Sequence, residues 1–430
     1  MESKGEKIRV LFRGWFEIPH SYALCNCFQI IHLFKNYSDK IDFYIEEMPY
    51  FRSEWNSSRK LVYKEEYNQI IRNFKKWNGE EVDLIYSITY PYNMDMTIIN
   101  EKKIPKCVFY TSEFATLDPG FFSCTQSNFN SDNVIKEYVK NNKELYMTSP
   151  SVWSSLGMEK YNLEKSKNRI ITHGVDGTVF YKKVSSRESI RNFYKVKKDE
   201  ILLMNIGAMT QNKGMFLILQ TLNILVNHLG KTHYKLLLKG TGDLYNSKSF
   251  LEIYFSELMK AGVLDKERMD NLLTNHIIFT DKTLSYEKIN DLFNAADLYL
   301  SPYIAEGFNL TSLEALSAGT PVVVPITGST KEYMEDIFNN GGKKFIYYVN
   351  SKVIDVGNEK KQNDIQIQDL LNCIVNNEKD IKNWSFREME YDRMKQYINK
   401  KYSWDYVSEL LYDYLKMIVN DNGNVNDSKS

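Results

Sequence analysis

Glu306 and Glu314 stand on either side of a helix start in the run EGFNLTSLEALSAGTPVVVP, residues 306–325. Carboxylates so placed suit a ligand that carries both phosphates and hydroxyl groups. Loop amides and the positive end of the helix dipole face the phosphates, while the carboxylates accept from the hydroxyls. A cation is available in NIGAMTQNKGMF, residues 205–216, where Lys213-Gly214 opens a helix after the tight turn at Gly207. A lysine at such a turn is placed to neutralise a phosphate. Charged residues at these spacings also occur as ordinary solvated pairs, but here a cap, glycines and small side chains surround them. Asn309 is a good N-cap, expected to accept from the amide of Thr311 or Ser312. Leu310, Leu313, Ala315 and Leu316 give an apolar helical face, and Gly319-Thr320-Pro321 ends it before Val322 to Val324. Glu306 then belongs to the loop at the positive end of the helix, with Glu314 about 7 Å along the axis.

Strand-like and helix-like segments alternate along the chain, as a parallel α/β protein requires. Residues 7–12 form the first strand, followed by a loop with Gly14, His20 and Ser21 and a helix around 22–35. Strands at 41–46, 82–88, 106–111, 144–148 and 168–172 complete a first series. A second begins at 200–206 and continues through a helix at 213–229, a strand at 234–239, helices over 247–272, a strand at 276–279, a helix at 285–295 and a strand at 297–301. The boundary falls at 178–198, because VSSRESIRNFYKVKKDE is polar and lacks core periodicity. A helix over 59–77 sets Arg59, Lys60, Lys64, Arg72, Lys75 and Lys76 beside Ile70, Ile71, Phe74 and Trp77. That pattern fits a peripheral membrane association as well as a core-packed helix with a solvated side. An amphipathic helix spans 402–419, and the polar 420–430 is expected to be disordered.

Lys plus Arg equals Asp plus Glu at 55 each, so bulk electrostatics gives no reason to expect nucleic acid as a partner. The five cysteines form no CxxC pair or metal-ligand spacing, as in a reducing compartment. The start MESKGEKIRVLFRGW lacks a secretory apolar core, and no run approaches the roughly 20 apolar residues of a membrane span. A soluble, cytoplasmic protein is the expectation. No Asp-x-Asp occurs to hold a divalent ion on a diphosphate. No G-x-G-x-x-G follows the first strand, which speaks against an oxidoreductase.

Glu306, Gly307, Phe308, Glu314, Ala315, Gly319, Pro321 and Val322 stand together as in the donor-site signature of retaining glycosyltransferases of family 4, the glycosyl transferases group 1, which this stretch resembles. The resemblance implies an α/β GT-B fold, with two Rossmann-like domains whose parallel sheets face an interdomain cleft. Residues 1–178 with the crossing helix 402–419 would be the acceptor-side domain, and 179–401 the nucleotide-sugar-binding domain. It implies a retaining, metal-independent transferase that moves a sugar from a nucleotide-diphosphate sugar to a glycan, lipid or protein acceptor. No cofactor or metal is needed beyond that donor. In this scheme Glu306 holds donor-sugar hydroxyls, Lys213 the diphosphate and Glu314 the ribose hydroxyls. The amides of Gly307, Phe308, Asn309 and Leu310 cradle the far oxygens. Gly207 and Gly14 shape their loops, and His20, Ser21 and Glu113 lie on the acceptor or sugar side. The chain departs from the family pattern twice: Ala208 stands where an arginine is usual, and Glu113 where a histidine is. Two further readings therefore stay open, a non-catalytic nucleotide-sugar-binding relative and a sugar phosphorylase or synthase on the same fold. Lys239 either compensates for Ala208 or is a strand-end surface lysine, and His173-Gly174-Val175-Asp176 reads as a structural turn.

Overall fold

The computed structural model describes residues 7–60, 62–383 and 388–427. They form two compact units, one of residues up to Gly174 together with those from Tyr402 onward, the other of Val175–Lys401.

In the first unit, six parallel strands build one sheet, with short apolar runs at its centre. These are β1 (Ile8–Gly14), β2 (Ile41–Glu47), β3 (Leu84–Ile88), β4 (Lys106–Phe109), β5 (Leu145–Ser149) and β6 (Asn168–Ile170). Every residue of β3, β4 and β5 is buried, as in strands covered on both faces. The order is β6-β5-β4-β3-β1-β2, so the winding reverses at β1, whose carboxyl end is Gly14.

Helix α1 (Ser21–Tyr37) packs against the C-terminal helix, Trp404–Asp427. Phe28 stacks on Trp404 with ring centroids 5.2 Å apart, Tyr37 stacks on Tyr412 at 4.2 Å, and His32 Nδ1 lies 2.8 Å from Asp405 Oδ1. This helix outruns the expected end at 419. Ile418 is buried and the Asn422 amide donates to the Tyr146 hydroxyl and the Ile418 carbonyl, so 420–427 is helical instead of disordered. Residues 428–430 lie outside the described residues.

The basic segment is also corrected. Helix α2 spans only Glu65–Asn73. Arg59 pairs with Glu17 and Glu47, Arg72 with Glu65, and Lys75 with Glu80. Ile71 and Phe74 are buried, and Trp77 packs on Leu11, Val82, Ile85 and Ile104. With these cations neutralised and its apolar side turned to the core, the segment lacks the exposed apolar face of a membrane-surface helix.

The second unit repeats the parallel plan with β7 (Ile201–Ile206), β8 (Tyr234–Lys239), β9 (Ile277–Thr280), β10 (Leu298–Leu300), β11 (Val322–Pro325) and β12 (Ile346–Val349). Their order is β9-β8-β7-β10-β11-β12, and the winding reverses between β7 and β10. Those two strands pair only through Leu203–Met204 and Leu298–Tyr299. Beyond that point the Asn205 amide bridges them, donating to the Leu300 carbonyl at 2.7 Å. Open α/β sheets take their ligands at such a reversal, outside the carboxyl ends of the strands.

The polar stretch at the expected boundary is helical, α3 (Val184–Phe193). Its packing is ionic: Arg187 and Arg191 both pair with Asp297, and Arg187 also donates to the carbonyls of Asn294, Ala295 and Ala296. No helix among the described residues is long and apolar enough to cross a membrane.

Candidate functional site

Two loops meet at the β7/β10 reversal. After β7, Gly207 donates its amide to the Lys239 carbonyl at 3.0 Å, and a side chain there would meet nothing nearer than Lys213 Cγ at 3.9 Å. Thr210 Oγ1 donates to Asn212 Oδ1 at 2.6 Å. Gly214 has φ of +74°, and a Cβ there would run into the Pro302 carbonyl, so glycine is required where helix α4 (Met215–Asn223) begins. The loop after β10 is sewn to the first. The Asn212 carbonyl accepts from the amides of Ile304 (2.8 Å) and Ala305 (3.2 Å), and its side-chain amide donates to the Ala305 carbonyl at 3.1 Å. This stitching brings the Lys213 ammonium onto the Glu306 carboxylate as an ion pair, both side chains largely buried. Spacing alone gave no sign of that pair, nor of the role of Asn212.

Helix α5 (Tyr286–Ala295) precedes β10, and α6 (Leu310–Ser317) follows its loop. Asn309 occupies the N-cap position of α6, but the expected cap bond is absent. Its backbone is left-handed, with φ of 71°, which asparagine tolerates better than most residues. The side chain instead accepts from Thr311 Oγ1 (3.2 Å) and Ser312 Oγ (3.1 Å) and donates to Ser301 Oγ (2.6 Å). Phe308 stacks at 4.7 Å on Tyr333 of α7 (Lys331–Ile337), whose hydroxyl donates to the Asn309 carbonyl. Phe308 thus fixes the loop's shape from below. Gly307 is buried and Leu310 half-buried, at the start of α6.

Glu314 lies on α6 and is 6 % exposed. Its carboxylate has no hydrogen bond or ion pair among the described residues, and burial pushes its pKa up to about 8. Buried carboxylates are ordinarily paired. Burial raises the pKa of the Tyr299 hydroxyl, and the charges of Glu314 and Glu306 add to that. That hydroxyl donates to Thr311 Oγ1 at 2.7 Å. Lys239 is buried, and so is not the surface lysine of the plainer reading. Burial pushes its pKa down to about 8, and its ammonium donates to the Gly240 carbonyl.

The first-unit candidates sit at the end of β1, at the start of α1 and in the loop after β4. A Cβ at Gly14 would lie 2.9 Å from the Ile88 carbonyl and closer still to the Asn26 side chain, so glycine there permits close packing. His20 is buried at the N-cap of α1, its Nδ1 accepting from the Tyr22 amide at 3.2 Å, with its ring against Trp15, Tyr22 and Trp55. Ser21 is exposed on the first turn of α1. Glu113 is half-buried, and its carbonyl accepts from the Trp153 indole at 2.8 Å. His173 is buried beside Cys25 Sγ, with its pKa pushed down to about 3 by desolvation. Asp176 accepts from the amide and hydroxyl of Thr178, as a turn does. A cavity of about 590 Å³ in this unit is lined by Pro119, Gly120, Cys124, Gln126 and Phe129, and none of the candidate residues reaches it.

Residues 200–350, which carry Lys213, Glu306 and Glu314, match the family of glycosyl transferases group 1. An uncharacterized glycosyltransferase of Methanocaldococcus jannaschii is 26% identical over 262 residues, 60% of this chain and 56% of the relative. Mannosylfructose-phosphate synthase of Agrobacterium fabrum is 24% identical over 172 residues, 40% of this chain and 35% of that protein. The chain therefore aligns with about half of the first relative and about a third of the second. Anabaena HepE, solved in complex with UDP-glucose, superposes over 95% of this chain and all of its own, with a TM-score of 0.60 at 12% identity. The chain has the GT-B fold.

Proposed function

We propose that this chain is a retaining, metal-independent glycosyltransferase whose donor is a nucleoside-diphosphate sugar. The observation that carries this reading is Glu314, a buried carboxylate with no partner among the described residues, beside a strand reversal where a Lys213–Glu306 pair also sits. Ribose hydroxyls supply the donors Glu314 lacks. A diphosphate competes with Glu306 for the Lys213 ammonium and releases the Glu306 carboxylate to accept from hydroxyls of the donor sugar. The match over 200–350 and the UDP-glucose complex of a protein with this fold support the donor class.

In the transfer, the bond from the anomeric carbon to the diphosphate oxygen breaks and the acceptor oxygen bonds to that carbon. The acceptor's proton passes to the departing phosphate. Lys213 and the N-terminal dipole of α6 stabilise the charge that develops on the leaving group. Entry of the acceptor on the leaving-group face retains configuration and requires no protein base. The acceptor is a hydroxyl of a glycan, lipid or protein. A sugar-phosphate synthase on the same fold is a second reading, favoured by the likeness to mannosylfructose-phosphate synthase.

Thermal shift with UDP-, GDP- and ADP-sugars tests the donor. Binding at about 100 times the dissociation constant adds about 2.7 kcal/mol of stability. A flat response to all three would refute the nucleotide reading. Anomeric analysis of the product decides retention, and its acceptor moiety separates transferase from sugar-phosphate synthase. Activity is expected to persist in excess EDTA; complete loss restored by magnesium would overturn metal independence.

A further inference from the structure

Lys239 is 4 % exposed, at the carboxyl end of β8. Its ammonium carries three hydrogens, and the Gly240 carbonyl takes one; no ion pair or other acceptor engages it among the described residues. Asp281 and Asp243 attract it from outside salt-bridge distance. Two residues on, the Thr241 hydroxyl is also buried without a hydrogen-bond partner. The turn that bears both groups adjoins the phosphate loop. The Lys239 carbonyl accepts from the Gly207 amide, and Ser247 Oγ accepts from the Thr241 amide at 2.9 Å while donating to the Ala208 carbonyl at 3.2 Å. A side chain at Gly207 would meet only Lys213 Cγ, at 3.9 Å.

An ammonium withdrawn from water without an anion in contact is costly to keep, and an unpaired buried hydroxyl adds to that cost. Lys213 is already matched by Glu306, so a bound diphosphate would find only one cation, and that one shared. We propose that Lys239 and Thr241 form a second phosphate-binding position of the donor site, ammonium and hydroxyl both donating to diphosphate oxygens. The inference rests on the nucleotide reading above and adds to it a residue pair on the neighbouring strand.

Calorimetry of the full chain with UDP, GDP and ADP, and with the matching nucleosides, tests it in the parent, in Lys239→Met and in Thr241→Val. For the diphosphate the parent binds, Lys239→Met is expected to lose about ten-fold or more in affinity and Thr241→Val about three-fold. Nucleoside affinity should stay as in the parent. Unliganded Lys239→Met should unfold at the same or a higher temperature, since a buried charge has gone; a purely structural lysine would lower it. Unchanged diphosphate affinity in both variants overturns the inference and leaves the nucleotide reading standing. Equal losses for nucleoside and diphosphate overturn the assignment to phosphate. A parent that binds none of the three diphosphates overturns the nucleotide reading and this inference together.

Discussion

Burial fixes the protonation of Glu314, and with it a pH signature. An unfolded glutamate titrates near 4.5, the folded one near about 8. Between those values the folded chain binds the extra proton, so this group's contribution to stability is fully present below pH 4.5 and declines as pH rises towards 8. Glu314→Gln keeps the shape and removes the titration. Urea denaturation across this window should show the variant gaining on the parent with rising pH, by at most about 1.4 kcal/mol per pH unit. A constant gap would contradict the burial argument. The two carboxylates should also separate by function. Glu314→Ala is expected to weaken free nucleotide and nucleotide sugar alike, by about 1.5–3 kcal/mol. Glu306→Ala releases Lys213, so nucleotide affinity should hold or rise while transfer falls; equal losses in both variants would refute the division. Residue types and spacing single out Glu306, Glu314 and Lys213 in the sequence, and the structure places Glu306 and Lys213 in one ion pair and Glu314 buried on α6. The Lys213–Glu306 pair was not legible there, because it depends on Asn212 joining two loops distant in sequence. The Asn309 cap bond failed for a local reason, a left-handed backbone that turns the side chain away from the first-turn amides.

Elements were readable where apolar residues hold them. The fully buried β3, β4 and β5 appear in sequence as short apolar runs, and the structure places them within a few residues of the expected ranges. Helix α3 escaped notice because arginines attach it: Ser186 and Arg191 are its buried residues, while Val184 and Phe193 are exposed. Its attachment gives a sharp expectation. Arg191→Met leaves the buried Asp297 with Arg187 and the Leu202 amide, and breaking one side of such a pair costs up to about 3–5 kcal/mol. Chemical denaturation would read that loss, and a value within 0.5 kcal/mol of zero, the range of an ordinary surface substitution, would show the cluster to be dispensable. At the start of α4, Gly214→Ala faces both a positive φ and the Pro302 carbonyl. It should cost more than about 1 kcal/mol and weaken nucleotide binding, since Lys213 is the preceding residue. A fully stable variant with parental affinity would mean that the loop adapts freely.

At the level of the whole molecule, the second unit is one continuous stretch of chain, whereas the first needs both ends. The amphipathic pattern of 402–419 announced the returning helix, but its last turns looked too polar in sequence to be ordered. Asn422 is satisfied there by the Tyr146 hydroxyl, a contact no local pattern reveals. Truncation before Tyr402 would uncover Phe28 and remove the partner of His32. Cooperative unfolding of the first unit should be lost, while the nucleotide binding proposed for residues 200–350 should survive; loss of both together would show that the site depends on the C-terminal helix.

That division of the chain also sets an order of events at the ribosome. Strands β1 to β6 emerge first, yet the helix that covers α1 follows residues 175–401, so the early half waits with Phe28 and its neighbours uncovered until Trp404 leaves the exit tunnel. Residues 175–401 meanwhile have everything they need and can close around their own core. The usual sequence, in which the N-terminal domain folds first, is thereby inverted. Through most of its synthesis the nascent chain therefore carries an unfinished first unit, and that waiting surface is what a chaperone would have to guard.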